Sequence, residues 1–98
     1  MPDDALKIGN CCLMISFEQQ GWEDYLFWQQ TDKAKLKRIN QLIRDIQRDP
    51  FDGLGKPEPL RYELAGLWSR RIDEEHRLVY SVNGKKVIIA QCRYHYDN

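Results

Sequence analysis

The sequence predicts an α+β domain in which two helices cover one face of an antiparallel sheet. The N-terminal half contains two stretches with apolar residues at helical spacing. The C-terminal half contains short apolar runs separated by glycine and asparagine turns, and a glycine- and proline-rich stretch at residues 51–59 divides the two halves. A chain of 98 residues with 42% apolar content is enough for one modest core. Helices followed by a run of strands are typical of the α+β class.

The N-terminal part of the domain is predicted to be a short strand followed by a helix. Residues 13–17 form the strand, and the first helix begins at Gln20 or Gly21 and ends at Gln30. Asp32 then provides an N-cap for a second helix, because its side chain can accept hydrogen bonds from the first free backbone N–H groups.

The second helix shows the clearest periodicity in the chain. Pro50 ends it, because a proline ring disfavours helical geometry at the preceding Asp49. From Asp32 to Asp49 there are six basic residues against three acidic ones. This surplus suits either a solvated helix face or docking on nucleic acid. The apolar stripe of this helix consists of Leu36, Ile39, Leu42, Ile43 and Ile46.

An antiparallel meander of strands is predicted after the loop at residues 51–59. Gly66 marks the turn between the first two strands, and Asn83-Gly84 marks a tight hairpin between the last two. The meander leaves the sheet face opposite the helices open, and a face lined with arginines suits a nucleic acid. The predicted strands are residues 60–64, 67–73, 76–82 and 86–94.

The register of the last hairpin decides whether two candidate site residues share a face. If Asn83-Gly84 were the whole loop, Arg77 and His95 would lie on opposite faces of the sheet. We therefore predict one of three features: a three-residue loop with a left-handed glycine, a bulge, or a break of the last strand before His95.

Composition argues against several classes of protein. The acidic start of the chain does not resemble a signal peptide, and no apolar run approaches membrane-spanning length. Three cysteines is an odd count, which favours a reducing cytoplasm. Cys11 and Cys12 lack a second ligand pair at zinc spacing, so neither a metal nor a cofactor is expected. Cys92 is predicted to lie in the core.

The domain is predicted to span residues 14–98. Residues 1–13 are unpatterned and are expected to form a poorly ordered extension. Met14 is an alternative to Met1 as the translation start.

Cleavage of RNA without a metal needs a base, an acid and cations, and the chain supplies all three. Glu58 lies between two prolines, which stiffen the backbone around it, and its carboxylate can act as the base at neutral pH. His95 lies between two tyrosines after a strong strand and can deliver a proton. Guanidinium groups suit phosphate oxygens. The available arginines are Arg61, Arg70, Arg71, Arg77 and Arg93.

Each candidate also has a structural alternative. Glu58 could be a solvated loop residue, and His95 could be frayed because it lies close to the terminus. Arg77 could pair with one of the three acidic residues at 73–75.

Several long segments of the chain resemble one known family. They are residues 56–60 (KPEPL), 67–72 (LWSRRI), 74–80 (EEHRLVY) and 92–96 (CRYHY), together with residues 22–26 (WEDYL) and 31–33 (TDK). In these segments the chain strongly resembles the YoeB toxins of the RelE superfamily. The resemblance extends over about residues 14–96.

This resemblance implies a RelE-like fold and a toxin–antitoxin ribonuclease that cuts mRNA in the ribosomal A site without metal. It implies that Glu58 is the general base, His95 the general acid and Arg77 the group that stabilises phosphate charge. By the same likeness Arg61 and Arg71 bind phosphate, whereas Tyr96 orients a base or stacks on it. A YefM-like antitoxin with a flexible tail, the ribosome and mRNA are the implied partners, and a homodimer is compatible with the family.

The chain departs from the family pattern in three places. Arg61 stands where the family usually has lysine. Asp97 and Asn98 extend past the tyrosine at which the family usually ends, and residues 1–13 have no counterpart.

Two other functions remain open at this point. The first is a non-catalytic RelE-like binding protein that pairs with an antitoxin. The second is a free-standing ribonuclease that acts on naked RNA.

Overall fold

The computed structural model describes residues 13–94, in which two helices cover one face of a five-stranded mixed sheet. Cys11, Cys12, His95 and Tyr96 lie outside the described residues. A 3-10 helix, Tyr62–Leu64, connects the second and third strands. The elements are β1 (Met14–Phe17), α1 (Gln19–Thr31), α2 (Lys33–Arg48), β2 (Glu58–Pro59), β3 (Trp68–Arg71), β4 (Arg77–Asn83) and β5 (Lys86–Gln91).

The strand order is β1-β5-β4-β3-β2. Strands β2 to β5 form an antiparallel meander, in which β3, β4 and β5 correspond to predicted strands. The N-terminal strand β1 adds to the edge of β5 in the parallel direction, with Met14 opposite Lys86 and Phe17 opposite Ile89. The α+β class is therefore confirmed, and the sheet is mixed because of β1 alone. Within residues 13–94 neither helix is long and apolar enough to cross a membrane.

The apolar stripe of α2 forms the centre of the core. Ile39, Leu42 and Ile46 are fully buried, in one cluster with residues of β4 and β5 such as Leu78 and Ile89. Each aliphatic side chain of this size contributes about 1.5–3 kcal/mol when it leaves water. The predicted stripe is confirmed.

Asp32 caps α2 as predicted. One oxygen of its carboxylate accepts the backbone N–H groups of Ala34 and Lys35 at 3.1 and 3.2 Å. Cys92 is also confirmed as a core residue, and burial raises the pKa of its thiol to about 12.

Helix α1 approaches β5 closely at Gly21. A Cβ atom at this position would lie 2.4 Å from the carbonyl oxygen of Ile89.

Replacement of Gly21 by alanine has two opposing effects. Alanine would favour the helix by about 1 kcal/mol, but forcing α1 away from β5 costs about 1–3 kcal/mol. We therefore expect Gly21→Ala to lower the free energy of unfolding by a net of about 1 kcal/mol in chemical denaturation. Gln30→Ala, on the exposed side of the same helix, is the matched control and should not destabilise the protein. A Gly21→Ala variant as stable as the wild type would contradict this close approach.

The predictions for residues 51–64 are wrong in two respects. Residues 51–59 are not all loop, because Glu58 and Pro59 pair with Ser69 and Trp68 as β2. Residues 60–64 are not a strand, because Tyr62 adopts a left-handed conformation with φ of 58° and a 3-10 helix begins there. Alternating apolar residues in this segment resemble a strand, but local backbone hydrogen bonds replace the sheet ladder.

The other strands are found where the sequence predicts them, with β3 and β5 shorter than expected. Strand β3 ends at Arg71 instead of residue 73, and β5 ends at Gln91 instead of residue 94.

The hairpin between β4 and β5 contains two of the three predicted features, namely the bulge and the break of the last strand. Its loop has two residues, because Asn83 pairs with Lys86, so the three-residue loop is wrong. Gly84 is left-handed, with φ of 64°. A bulge separates the pairs Tyr80–Ile89 and Val79–Gln91, and β5 then ends before His95. The bulge moves the pairing by one residue, so that Val79 lies opposite Gln91.

Candidate functional site

The register of the sheet places three predicted site residues on the face opposite the helices, which we call the helix-free face. Glu58 pairs with Ser69, and Arg71 pairs with Arg77. Ser69 and Arg71 are two residues apart on β3, so their side chains share a face. Glu58, Arg71 and Arg77 therefore project from three neighbouring strands to the same side of the sheet.

The register places these three residues close together on the helix-free face. Arg71 and Arg77 are directly opposite each other, which puts their Cβ atoms about 5 Å apart. Glu58 lies on the diagonal from Arg71, at about 7–8 Å between Cα atoms. Two like charges directly opposite each other destabilise a sheet unless an anion lies between them. The pair is therefore suited to bind a phosphate.

Exposure differs across the helix-free face. Glu58 and Arg71 are exposed and Arg77 is half-buried. Ser69 and Val79, which lie beside them in the register, are buried. The charged groups that the register brings together are therefore accessible to a ligand, while the polar Ser69 lies close to them without being exposed.

Arg77 is held in place by backbone oxygens and not by a carboxylate. Its Nη1 atom donates to the carbonyl oxygens of Asp73 and His76 at 2.9 and 3.2 Å. The carboxylate of Asp73 instead binds Lys35 at 2.6 Å. Within residues 13–94, Arg77 forms no ion pair, so the alternative in which residues 73–75 neutralise it is wrong. Its charge remains available to an anion.

The pKa of Asp73 agrees with this arrangement. Burial alone would raise it, but the hydrogen bond from Lys35 and the backbone N–H groups of His76 and Glu75 lower the pKa to about 2. The carboxylate is thus ionised at neutral pH and engaged by Lys35, which joins α2 to the connection between β3 and β4.

Two of the arginines considered as phosphate ligands have other roles. Arg70 points into the core, is fully buried, and donates to Asp45 at 2.7 Å and to Tyr80 at 3.1 Å. The guanidinium of Arg93 stacks on the ring of Phe27 in α1 at 3.6 Å. These two residues are therefore occupied on the helical side of the sheet.

Arg61 lies three residues after Glu58, where β2 leads into the 3-10 helix. Its side chain is exposed. This position is compatible with a contact to a phosphate adjacent to the one at Arg71 and Arg77.

Left-handed backbone conformations occur close in sequence to the candidate site residues. The residues other than glycine with positive φ in the described chain are Lys56, Tyr62 and Tyr94. Lys56 is two residues before Glu58, and Tyr94 directly precedes His95. Such conformations cost about 1–3 kcal/mol each and concentrate at functional sites.

The segment that leads to His95 is fixed by side chains from α1. Cys92 donates its backbone N–H to the buried carboxylate of Asp24 at 3.1 Å. Its carbonyl oxygen accepts the indole N–H of Trp28 at 2.8 Å. The chain beyond β5 is therefore held although it has left the sheet ladder.

Tyr94 is then tied to the start of β4. Its carbonyl oxygen accepts the backbone N–H of Arg77 at 2.8 Å, and its own N–H donates to Nδ1 of His76 at 2.7 Å. The residue before His95 is thus anchored directly beside Arg77. His95 and Tyr96 lie outside the described residues, so their places in the site remain predictions.

His76 is the residue of this region to which sequence reasoning assigned no role. It lies in a run of charged residues, and nothing in that run predicts its hydrogen bond to Tyr94, which lies eighteen positions further along the chain. That contact depends on the bulge and on the end of β5.

Comparisons with known proteins agree with the fold. Residues 17–96 match the model of a family described as the YoeB-like toxin of bacterial type II toxin–antitoxin systems. The chain belongs to this family. It is 56% identical over 84 residues to Toxin YoeB of Escherichia coli, which covers 86% of this chain and 100% of that protein. The same identity and coverage are found for Toxin YoeB of Streptomyces coelicolor.

Solved structures give the same result. The YoeB/ParE toxin from Agrobacterium tumefaciens superposes with a TM-score of 0.83 at 50% identity, covering 86% of this chain and 100% of that one. The toxin in the YoeB–YefM complex from Staphylococcus aureus superposes with a TM-score of 0.79 at 48% identity, covering 86% and 98%. More distant YafQ of Escherichia coli, at 20% identity and a TM-score of 0.64, shares the fold.

Proposed function

We propose that this protein is a ribosome-dependent endoribonuclease that cleaves mRNA in the ribosomal A site and thereby inhibits translation. The observation that carries the proposal is the common placement of Glu58, Arg71 and Arg77 on the helix-free face, with Tyr94 hydrogen-bonded to the backbone of Arg77. A carboxylate and two guanidinium groups within reach of one nucleotide, next to the residue that precedes a histidine, are suited to acid–base cleavage of a phosphodiester.

In the proposed reaction, Glu58 removes the proton from a ribose 2′-hydroxyl. The 2′-oxygen forms a bond to the adjacent phosphorus, and the bond from phosphorus to the 5′-oxygen breaks. His95, as an imidazolium, gives its proton to the departing 5′-oxygen. The products are a 2′,3′-cyclic phosphate and a 5′-hydroxyl, and the step uses no metal or cofactor.

The arginines have electrostatic roles in this mechanism. The Nε and Nη2 atoms of Arg77 have no hydrogen-bond partner among residues 13–94, so they can donate to the phosphate oxygens as negative charge accumulates. Arg71 lies opposite and binds the same phosphate, whereas Arg61 binds a neighbouring one. Tyr96 orients or stacks on a base.

The ribosome would supply binding energy that this small site lacks. The chain has zero formal net charge, but α2 concentrates basic residues on its exposed side. Several phosphate contacts from one helix suit docking on ribosomal RNA, where each contact adds salt-dependent affinity.

The relatives indicate which proteins this chain binds. A YoeB–YefM complex and a YoeB dimer are known from Staphylococcus aureus. We propose that the chain pairs with a YefM-like antitoxin, which covers or distorts the site, that it can form a homodimer, and that it acts in the cytoplasm.

The test is primer extension on an mRNA that is being translated in a purified system. We expect cleavage within the codon in the A site. Cleavage should disappear when a 2′-O-methyl group replaces the 2′-hydroxyl on the 5′ side of the cut, because the nucleophile is then blocked. Unchanged cleavage of the methylated mRNA would refute the proposed attack.

Two further outcomes would favour the alternatives. Equal rates on naked mRNA and on translated mRNA would identify a free-standing ribonuclease. Absence of cleavage on every substrate, together with tight binding of the co-expressed antitoxin, would identify a non-catalytic binding protein.

A further inference from the structure

His76 lies directly before β4 and is almost completely buried. Its ring packs edge-to-face against Trp28 of α1, with centroids 4.9 Å apart. Its backbone N–H donates to the carboxylate of Asp73 at 2.7 Å, and its carbonyl oxygen accepts the N–H of Ile72 at 3.0 Å. Both the ring and the backbone of His76 are therefore fixed.

The ring of His76 has one contact that core packing alone does not require. Its Nδ1 atom accepts the backbone N–H of Tyr94 at 2.7 Å. Tyr94 comes after the end of β5, so its N–H has no partner in the sheet ladder. An unsatisfied N–H at this position would lose the stabilisation that a hydrogen bond gives. His76 thus replaces the ladder at the point where the strand ends.

This contact coincides with a change in the direction of the chain. Tyr94 has φ of 63°, a conformation that side chains other than glycine rarely adopt. Two hydrogen bonds hold it: the one to Nδ1 of His76 and the one from the N–H of Arg77. Without them an extended conformation is favoured at Tyr94.

The contact also defines the tautomer of His76. An Nδ1 atom that accepts a hydrogen bond carries no proton, so the ring proton of the neutral form is on Nε2. The Nε2 atom faces the carboxylate of Glu75 at 3.6 Å. His76 in this state is a hydrogen-bond acceptor toward the C-terminal segment.

We propose that His76 is a positioning residue, whose Nδ1 holds Tyr94 in its left-handed conformation beside Arg77 and thereby fixes the point from which the chain continues to His95. The consequence for catalysis rests on the proposed function, in which His95 is the general acid. His76 itself does not touch the RNA.

Two amide variants test this inference, because they differ in where they place an acceptor. In His76→Asn the side-chain oxygen can occupy the position of Nδ1, whereas in His76→Gln it lies near the position of Nε2 and cannot reach Tyr94. We expect His76→Gln to lower kcat for translated mRNA by about 10- to 100-fold, with KM for programmed ribosomes unchanged, because the residue before the proposed acid loses its anchor. His76→Asn should retain most of the activity.

Amide hydrogen exchange at Tyr94 provides a readout independent of cleavage. We expect strong protection of this amide in the wild type and in His76→Asn, and its loss in His76→Gln. The nitrogen spectrum of the wild type should show the His76 tautomer protonated at Nε2. If the wild type fails to cleave mRNA, the proposed function falls, but the exchange data still report on the bond to Tyr94.

The remaining outcomes overturn the inference. Equal protection of Tyr94 in all three proteins would show that His76 does not hold this residue. Equal loss of kcat in both variants would show that the position of the acceptor is irrelevant. Failure of either variant to fold would assign His76 to core stability alone.

Discussion

Replacement of Glu58 by glutamine should lower the rate of mRNA cleavage on the ribosome by about 10²- to 10⁴-fold, the range typical of removing a general base. The amide keeps the size of the side chain but cannot accept the 2′-hydroxyl proton. Glu58 is exposed on a strand of two residues and makes no ion pair within residues 13–94. The substitution should therefore change the free energy of unfolding by less than about 0.5 kcal/mol.

Glu63→Gln is the matched control for this variant. Glu63 is also exposed and lies in the 3-10 helix, in the same connection between β2 and β3. The chemical change and the change in net charge are identical, so an effect of charge on ribosome binding would appear in both variants. Single-turnover rates on programmed ribosomes should fall for Glu58→Gln only. Wild-type rates for Glu58→Gln would remove Glu58 from the mechanism.

Local sequence rules account for α2 and for part of the site. The stripe from Leu36 to Ile46 and the cap at Asp32 both follow from the helical period and from backbone N–H groups that need acceptors. The alternation along a strand also separates neighbouring arginines. Because Arg70 and Arg71 are adjacent, one must face the core and the other the opposite side. Alternation alone does not tell which one is buried.

The features that sequence reasoning could not locate are set by contacts between distant segments. The short β2 strand exists because Glu58 meets Ser69, and the bulge at Val79 determines which residues share a face with Arg77. The sequence was compatible with three backbone geometries of the hairpin, and the structure contains two of them. The role of Arg70 was missed because its acceptors come from five other positions in the chain.

Arg70 is the residue whose replacement should most weaken the fold. Its Nη1 atom donates to Asp45 and to the carbonyl oxygen of Leu54, and its Nη2 atom donates to the carbonyl oxygens of Asp49 and Asp52. Its Nε atom donates to the hydroxyl of Tyr80 at 3.1 Å. One buried guanidinium thus organises the connection between α2 and β2, which leads to Glu58.

Arg70→Met should lower the free energy of unfolding by about 3–5 kcal/mol, because it leaves buried backbone acceptors without a donor and removes one of the cationic partners of Asp45. Arg71→Met, one residue further on the helix-free face, is the matched control. It should change stability by less than about 0.5 kcal/mol, since Arg71 is exposed and lies opposite the like charge of Arg77. Denaturant unfolding measures both. Equal losses of stability would contradict the assignment of Arg70 to the core.

The dependence of stability on pH distinguishes two contributions of Arg70 to the fold: its ion pair with Asp45 and its neutral contacts. The hydrogen bond from Arg48 lowers the pKa of Asp45 most; burial opposes it, and the N–H of Leu54 and the guanidinium of Arg70 lower it further. Its folded pKa is below the value of about 3.9 for an unfolded chain, so its contribution is complete above that pH and disappears as the pH falls through the folded pKa. Asp73, with a pKa of about 2, acts in the same direction.

The wild type should therefore lose stability below about pH 4. Arg70→Met should lose less stability over the same interval, because Asp45 is then less strongly held in its ionised form. Parallel pH profiles for the two proteins would show that the ion pair contributes nothing and that Arg70 stabilises the fold through its neutral contacts alone.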